Sequence, residues 1–297
     1  MFKKYFSFIN REEGKHFEII SNSDNQYFDE RINGELVGFS IVNKNTILLL
    51  VVSLDYRNQG IGSRLLEKSE QYILSKGYDK IILGVGFDYL MPGVPTSKKV
   101  VPSVHENLES LVNDNASNFF EKRGYVHSWG ECNCFDMRMP LYKFVKNENS
   151  IGDTIGGINY RWATIDDIND IVICADDACQ YQDEKFSKYY RNLDLYDINN
   201  NQRVLVAVKN GKIVGALIVS IETEGKDLGS VGCTCVSFKE THQGIGTNLV
   251  RLGTKYLKDI GLSNACLSYT YTGLDKLYGD SGYEISTYYF MGEKRTR

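Results

Sequence analysis

Val52-Ser53-Leu54-Asp55-Tyr56-Arg57-Asn58-Gln59-Gly60-Ile61-Gly62-Ser63 returns 184 residues later as Val236-Ser237-Phe238-Lys239-Glu240-Thr241-His242-Gln243-Gly244-Ile245-Gly246-Thr247. Each stretch is a Val-Ser pair, five residues, then Gln-Gly-Ile-Gly and a hydroxyl residue. Upstream of each, an Asn-Gly pair separates strand-like runs: Asn33-Gly34 before 37–42, and Asn210-Gly211 between 204–208 and 213–219. Asn-Gly supplies the positive φ angles of a two-residue hairpin turn. Downstream, Gly124-Tyr125 answers Gly282-Tyr283, each expected to open a final strand. A repeat of about 145 residues is too long for a solenoid module, so the chain reads as two copies of one domain.

Each copy reads as hairpin, strand, helix, strand, helix, strand. After the glycines, apolar residues recur at helical spacing at Ile61, Leu65, Leu66, Tyr72 and Ile73, and at Leu249, Val250, Leu252, Tyr256 and Leu257. Gly77 and Gly261 supply helix stops, and strands are expected at 81–85 and 265–271. The expected class is mixed α/β (α+β), each domain a mixed, mostly antiparallel sheet flanked by helices. The polar run 146–153 is the seam, giving domains 1–146 and 154–297. The first copy carries an insertion at about 86–114, with Met91-Pro92-Gly93-Val94-Pro95. The second has room for two helices between Arg161 and Arg203, where the first copy is short.

With 297 residues, 42% hydrophobic and 24% charged, the chain has ordinary globular composition. No apolar run approaches the ~20 residues of a membrane span, and Met1-Phe2-Lys3-Lys4 opens no signal peptide. A cytoplasmic protein without membrane partners is expected. A net charge of −4 argues against a nucleic-acid partner. The seven cysteines include Cys132-Asn-Cys134 and Cys233-Thr-Cys235, with no further ligand at zinc spacing beside them. They read as reduced and structural, with no metal.

Gln-Gly-Ile-Gly between a strand and a helix is a physical device. Glycines permit a tight turn and close approach of a ligand to the backbone, and the free N–H groups of the helix's first turn attract an anion. No Gly-Lys-Ser/Thr follows, so this is not a P-loop, and the third glycine of a dinucleotide fingerprint is missing. Arg57-Asn58-Gln59-Gly60-Ile61-Gly62 resembles the Arg/Gln-x-x-Gly-x-Gly/Ala motif of the GNAT acetyltransferase superfamily. The run 115–125 and Leu277-Tyr278-Gly279-Asp280-Ser281-Gly282-Tyr283 are similar to that family's second motif, and the start Tyr160-Arg161-Trp162-Ala163-Thr164-Ile165-Asp166-Asp167 resembles its first strand and helix cap. The second copy departs from the motif at Thr241, which stands where Arg or Gln is usual.

The resemblance implies two tandem GNAT-like domains and acetyl-CoA as the acyl donor to a primary amine of a small molecule, by direct attack in a ternary complex. It places the cofactor against Val52, Arg57, Asn58, Gln59, Gly60, Ile61, Gly62 and Ser63, and against Val236, Thr241, His242, Gln243, Gly244, Ile245, Gly246 and Thr247. The family's proton-donating tyrosine falls on Tyr278, whereas the matching residue in the first copy, Phe120, donates nothing. The C-terminal domain is therefore expected to be catalytic. Glu222 is the candidate base, with Glu240 a second acidic group near the loop. The run 162–184 holds seven acidic residues and no Lys or Arg, which suits a cationic acceptor if it rims the site. Two alternatives stay open: a non-catalytic acyl-CoA-binding or regulatory protein, and a catalytic N-terminal domain beside a substrate-binding C-terminal one.

Overall fold

The computed structural model describes residues 22–84, 93–96, 116–145, 148–180, 186–222 and 227–295. The first repeat contains β1 (Gln26–Ile32), β2 (Glu35–Asn43), β3 (Thr46–Val52), α1 (Ile61–Ser75), β4 (Lys80–Leu83), β5 (Val94–Thr96), α2 (Ala116–Glu121), β6 (Val126–His127) and β7 (Cys134–Pro140). The second contains β8 (Thr154–Ile155), β9 (Ile158–Trp162), α3 (Ile168–Ala178), α4 (Ser187–Tyr190), β10 (Gln202–Lys209), β11 (Lys212–Glu222), β12 (Leu228–Val236), α5 (Ile245–Asp259), β13 (Asn264–Tyr271), α6 (Asp275–Gly279), β14 (Glu284–Phe290) and β15 (Gly292–Arg295). The mixed α/β class holds, as do the two helices ahead of the second hairpin. Most of the insertion expected at 86–114 lies outside the described residues, as do Val85, Lys146 and Asn147.

Both hairpins close on the turns that Asn-Gly demands. Ile32 pairs with Glu35 and Lys209 with Lys212, and the four turn residues have φ of 51° and 83°, then 51° and 74°. Helices α1 and α5 lie against β2 and β11 because a glycine stands beneath each. A Cβ on Gly38 would come within 3.1 Å of Ile61, and one on Gly215 within 3.0 Å of Ile245. Gly77 and Gly261 follow the helix ends with φ of 85° and 93°.

Packing divides the described residues into two compact units: those within 22–96, 116–134 and 287–295 form unit one, and those within 135–286 form unit two. One sheet runs β1-β2-β3-β4-β15-β6 and the other β5-β14-β7-β13-β12-β11-β10-β9-β8. Gly124-Tyr125 and Gly282-Tyr283 do precede strands, but neither strand is final. A further strand follows each, and it closes the sheet of the unit built mainly from the other repeat. In β7, Cys134, Phe135, Met137 and Met139 are buried.

The core of unit one joins Val42, Ile47, Leu66, Ile81, Leu83, Phe120, Tyr125 and Phe290. That of unit two includes Ile171, Cys174, Tyr190, Val204, Val206, Ala216 and Cys235. In both units the central parallel pair is short. Only Thr46 and Ile47 of β3 pair with β4, at Ile82 and Leu83. Only Leu228, Gly229 and Ser230 of β12 pair with β13. Beyond those residues each pair of strands parts, leaving unpaired strand edge on the approach to the glycine loop.

Candidate functional site

The two glycine loops are conformational copies. Asn58 and Gly60 have φ of 62° and 78°, and His242 and Gly244 have 63° and 75°. The first glycine of each loop, Gly60 or Gly244, is the N-cap of a 15-residue helix, with no side chain capping it and no acidic residue in the first turn. The leading N–H groups of α1 and α5 are thus directed outward at the positive end of the helix dipole. Gly62 and Gly246 show what the surface is shaped for. Neither has a positive φ, and a Cβ on either would meet its nearest protein neighbours at an ordinary 3.5 Å. Packing does not demand glycine there, and without a Cβ the backbone of the first helical turn stays open at both positions. The residues therefore fit a coenzyme A pyrophosphate at both loops.

In unit one the loop opens into a cavity of about 890 Å³ lined by Val52, Arg57, Asn58, Gly60, Gly62 and Ser63, by Ile47 to Val51 of β3, and by Leu83, Val94, Pro95, Phe119 and Phe120. Arg57 donates from Nε to the Val52 carbonyl at 3.2 Å, which fixes its stem beside the loop. Gln59 turns its amide to the Asp55 carbonyl, holding the turn rather than facing a ligand. The cavity also has a lining cation the sequence reading missed. Arg123 donates 2.7 Å bonds to the Ser63 hydroxyl and the Phe119 carbonyl and lies 3.8 Å over the Phe119 ring. It sits within the family-like run 115–125, and the available signal was the contrast with Ser281 at the matching place.

Unit two differs where β12 leaves β13. Ala216 pairs with Cys235 but Ile218 with Gly232, so Leu217 faces two residues, Cys233 and Thr234. Cys233 sits in the bulge with φ of 50°. Its carbonyl accepts a short hydrogen bond from the Tyr190 hydroxyl, which α4 carries in from the N-terminal lobe. Tyr278 on α6 is buried and its hydroxyl is 3.0 Å from the Thr234 hydroxyl. Burial pushes the Tyr278 phenol up to about 12, and the Cys233 thiol likewise up to about 12. Both are protonated at neutral pH. At the corresponding place in unit one, Leu50 and Phe120 belong to one apolar cluster.

The approach to the second loop is tied down by charge. Asp177 of α3 accepts from the Ser237 hydroxyl at 2.5 Å and the Phe238 amide at 2.8 Å, and the Ser237 bond holds its carboxyl below the usual range. Thr241 donates to the Phe238 carbonyl, a local turn bond. Glu240 accepts from Lys209 at 2.6 Å and Gln243 at 2.8 Å; the Lys209 bond lowers its pKa, the wrong direction for a base at neutral pH. Glu222 is the last residue of β11 and pairs with Leu228. Eight residues of β12 separate that position from Val236, about 26 Å along the strand, so the structure does not bring Glu222 to the loop.

Of the acidic run, Asp167 closes a capping box with Thr164 and pairs with Arg161 at 2.7 Å, and Asp183 and Glu184 lie outside the described residues. All seven cysteines are free thiols, and no group of His, Cys, Asp and Glu able to hold a metal occurs among the described residues. Nor, among those residues, is any helix long and apolar enough to cross a membrane.

The model of the acetyltransferase (GNAT) family matches residues 2–90 and 171–281. No curated protein matches the chain. Among solved structures, the glucosamine N-acetyltransferase region of a fungal multi-domain GH3 β-N-acetylglucosaminidase superposes with a TM-score of 0.70 at 20% identity, covering 97% of this chain and 36% of that one. This chain thus spans about a third of that protein. A GCN5-related N-acetyltransferase from Sphaerobacter thermophilus gives 0.61 at 17% identity, covering 89% and 78%. A tandem GNAT protein from the clavulanic acid biosynthesis pathway gives 0.62 at 14%, covering 93% and 85%. At these identities the likeness is one of fold, and it extends to the tandem arrangement.

Proposed function

The chain belongs to the GNAT acetyltransferase family, and on that premise we propose that it transfers an acetyl group from acetyl-CoA to a primary amine of a small acceptor at the unit-two site, while the unit-one loop binds coenzyme A without catalysis. Acetyl-CoA supplies the activated thioester. The residues that would hold its pyrophosphate are Thr241 to Thr247 in unit two, through backbone N–H groups, and Arg57 to Ser63 with Arg123 in unit one. The observation that carries the assignment is the pairing of Tyr278 with Thr234 beside the Cys233 bulge.

A bulge turns strand N–H groups out of the ladder, and Tyr190 holds this one by its carbonyl. A strand amide freed in this way polarises an acyl carbonyl, stabilising negative charge as an amine attacks. Tyr278 holds its proton on Oη. A phenol near 12 beside a thiol of ordinary pKa near 8.5 shares that proton with a leaving sulfur rather than surrendering it. Cys233 remains a neutral thiol, which favours direct transfer over a covalent acyl-cysteine. An acceptor panel begins sensibly with glucosamine, the amine named for the fungal structural relative.

The rival reading, with unit one catalytic, is favoured by its cavity and by Arg57. Gly62→Glu and Gly246→Glu separate the two, because each places a carboxylate against one anion site without straining a positive φ. Thiol release measured on both variants should fall to background in Gly246→Glu and persist in Gly62→Glu. The reverse result would move the chemistry to unit one.

A further inference from the structure

In unit two, β12 and β13 last pair at Ser230 and Cys266. Cys233 stands three residues past the first of these and Tyr269 three past the second, and both have left-handed backbone, with φ of 50° and 61°. Sterics disfavour that region for any residue with a Cβ, so each bend persists only where its surroundings fix it. Cys233 is held through its carbonyl by the Tyr190 hydroxyl. Tyr269 is held through its amide, which donates to Oδ1 of Asp136 at 2.9 Å. Beside the first bend there is open space, since a Cβ on Gly232 would meet nothing within 4 Å. Asp136 belongs to β7, which lies on the side of β13 away from β12. It is half-buried, and its own backbone carbonyl accepts from the Ser286 hydroxyl of β14 at 3.3 Å. Asp136 is thus tied to the strand behind it while it bonds the strand in front. A bond from a backbone N–H to a carboxylate is among the stronger kinds, and this one draws Tyr269 out of the cleft.

We propose that Asp136 is a positioning residue for acetyl transfer in unit two: its bond to the Tyr269 amide keeps β13 bent away from the Cys233 bulge, at the width the thioester and the attacking amine need. The inference rests on the reading of unit two as the transferring site, and adds to it a residue supplied by the first repeat. Asp136 touches neither reactant and acts through Tyr269. Bulges beside active sites re-aim the groups they carry, and here one bend faces the other across the gap. Loss of the bond shifts the wall opposite the polarising amide, and a misplacement of about 1 Å is enough to cost about 100-fold in rate.

The test compares kcat, KM for acetyl-CoA and Tm in the native protein, Asp136→Asn and Asp136→Ala, using the amine panel that begins with glucosamine. Asp136→Asn keeps an acceptor oxygen and Asp136→Ala keeps none. In Asp136→Ala kcat should fall about ten-fold or more, and Asp136→Asn should retain most of it. KM for acetyl-CoA should stay unchanged in both, because the loop that meets the phosphates opens α5 and is not part of β13. An unchanged kcat in Asp136→Ala, with or without a lowered Tm, overturns the role and leaves the site in unit two. Equal losses in the two variants overturn it as well, since charge rather than the bond would then matter. So does a KM that rises as kcat falls, the mark of a sheet that has loosened throughout. Should Asp136→Ala not fold, the same change is made on Tyr269→Gly, because glycine takes a positive φ unaided. The double variant should then match the kcat of Tyr269→Gly alone, and a further fall of about ten-fold overturns the role. No thiol release by the native protein with any amine overturns transfer in unit two, and this role with it.

Discussion

Tyr278 and Phe120 differ by one oxygen, and that atom separates the two sites. In unit two it is buried, 3.0 Å from Thr234, with its proton held up to about 12 by burial. General acid assistance of this kind is worth about 10²–10⁴ in rate, and a phenol as weak as this one belongs at the lower end. Tyr278→Phe should therefore lower turnover by about 100-fold and leave the KM for acetyl-CoA unchanged, as steady-state kinetics with a thiol reagent will read. The sign of the pH effect follows from the raised pKa: the active, protonated form persists above the ordinary 10.0. Turnover should rise as the acceptor amine loses its proton, with no descending limb from Tyr278 below pH 10.0. A limb there, present in the native protein and absent from Tyr278→Phe, would mean that the phenol ionises below 10.0 and that burial does not hold its proton, whereas unchanged turnover in Tyr278→Phe would remove the phenol from this role.

At the scale of elements, what holds each loop in place matters as much as the loop. Unit two anchors its approach through Asp177 on α3, with bonds to Ser237 and Phe238; a carboxylate there makes two charge-assisted bonds at a partly exposed position. Asp177→Asn keeps the shape and should cost about 1.5 kcal/mol, the low end for bonds to a charged group, seen as a lowered Tm by thermal denaturation. Its pKa is depressed in the fold, so the stabilisation is complete above the ordinary 3.8 and is lost as pH falls through the lowered value. Below that value the native protein and Asp177→Asn should have equal Tm; a difference that persists there would mean packing, not charge, holds the loop.

The elements were the most legible part of the sequence. Asn33-Gly34 and Asn210-Gly211 specify their turns because few residues accept those φ values, and Thr164 with Asp167 forms a true cap. The glycine loops were legible because they occur twice. Gly124-Tyr125 and Gly282-Tyr283 proved to be structural: Tyr125 bonds Glu70 on α1, and Tyr283 bonds Thr254 at the same place on α5. Arg123, Tyr190 and Asp177 were illegible for a shared reason. Their partners lie 60, 43 and 60 residues away in sequence, and no local pattern encodes such a pairing. Glu222 lies at the end of β11 that pairs with Leu228, away from the loop, because proximity in sequence to a strand says nothing about which end of that strand a residue occupies.

At the scale of the whole molecule, the sequence repeats and the packing units are different partitions of the chain. Unit one takes in the C-terminal segment Thr287–Arg297, and unit two takes in β7 of the first repeat. In unit one, Gly292 packs on Leu83 where a Cβ would come within 2.5 Å, Lys294 pairs with Glu70 at 3.1 Å, and Phe290 and Met291 are 1% and 0% exposed. Burying those two side chains alone contributes about 3–6 kcal/mol, a large part of the 5–15 kcal/mol that stabilises an ordinary domain. Their loss would also expose the edges of β4 and β6, which are otherwise covered by β15. A protein truncated after Ser286 should therefore lose coenzyme A binding at the unit-one loop, although Arg57, Gly62 and Arg123 are all retained. Chromatography should show it aggregating, and a synthetic peptide spanning Thr287–Arg297 should restore part of the binding. Each half expressed alone, 1–146 or 147–297, lacks a strand its unit requires and should fail in the same way, while co-expression of both halves supplies every strand and should recover a soluble complex. A soluble 1–146 fragment that binds coenzyme A with native affinity would mean that β15 is dispensable and that each repeat folds as a domain of its own.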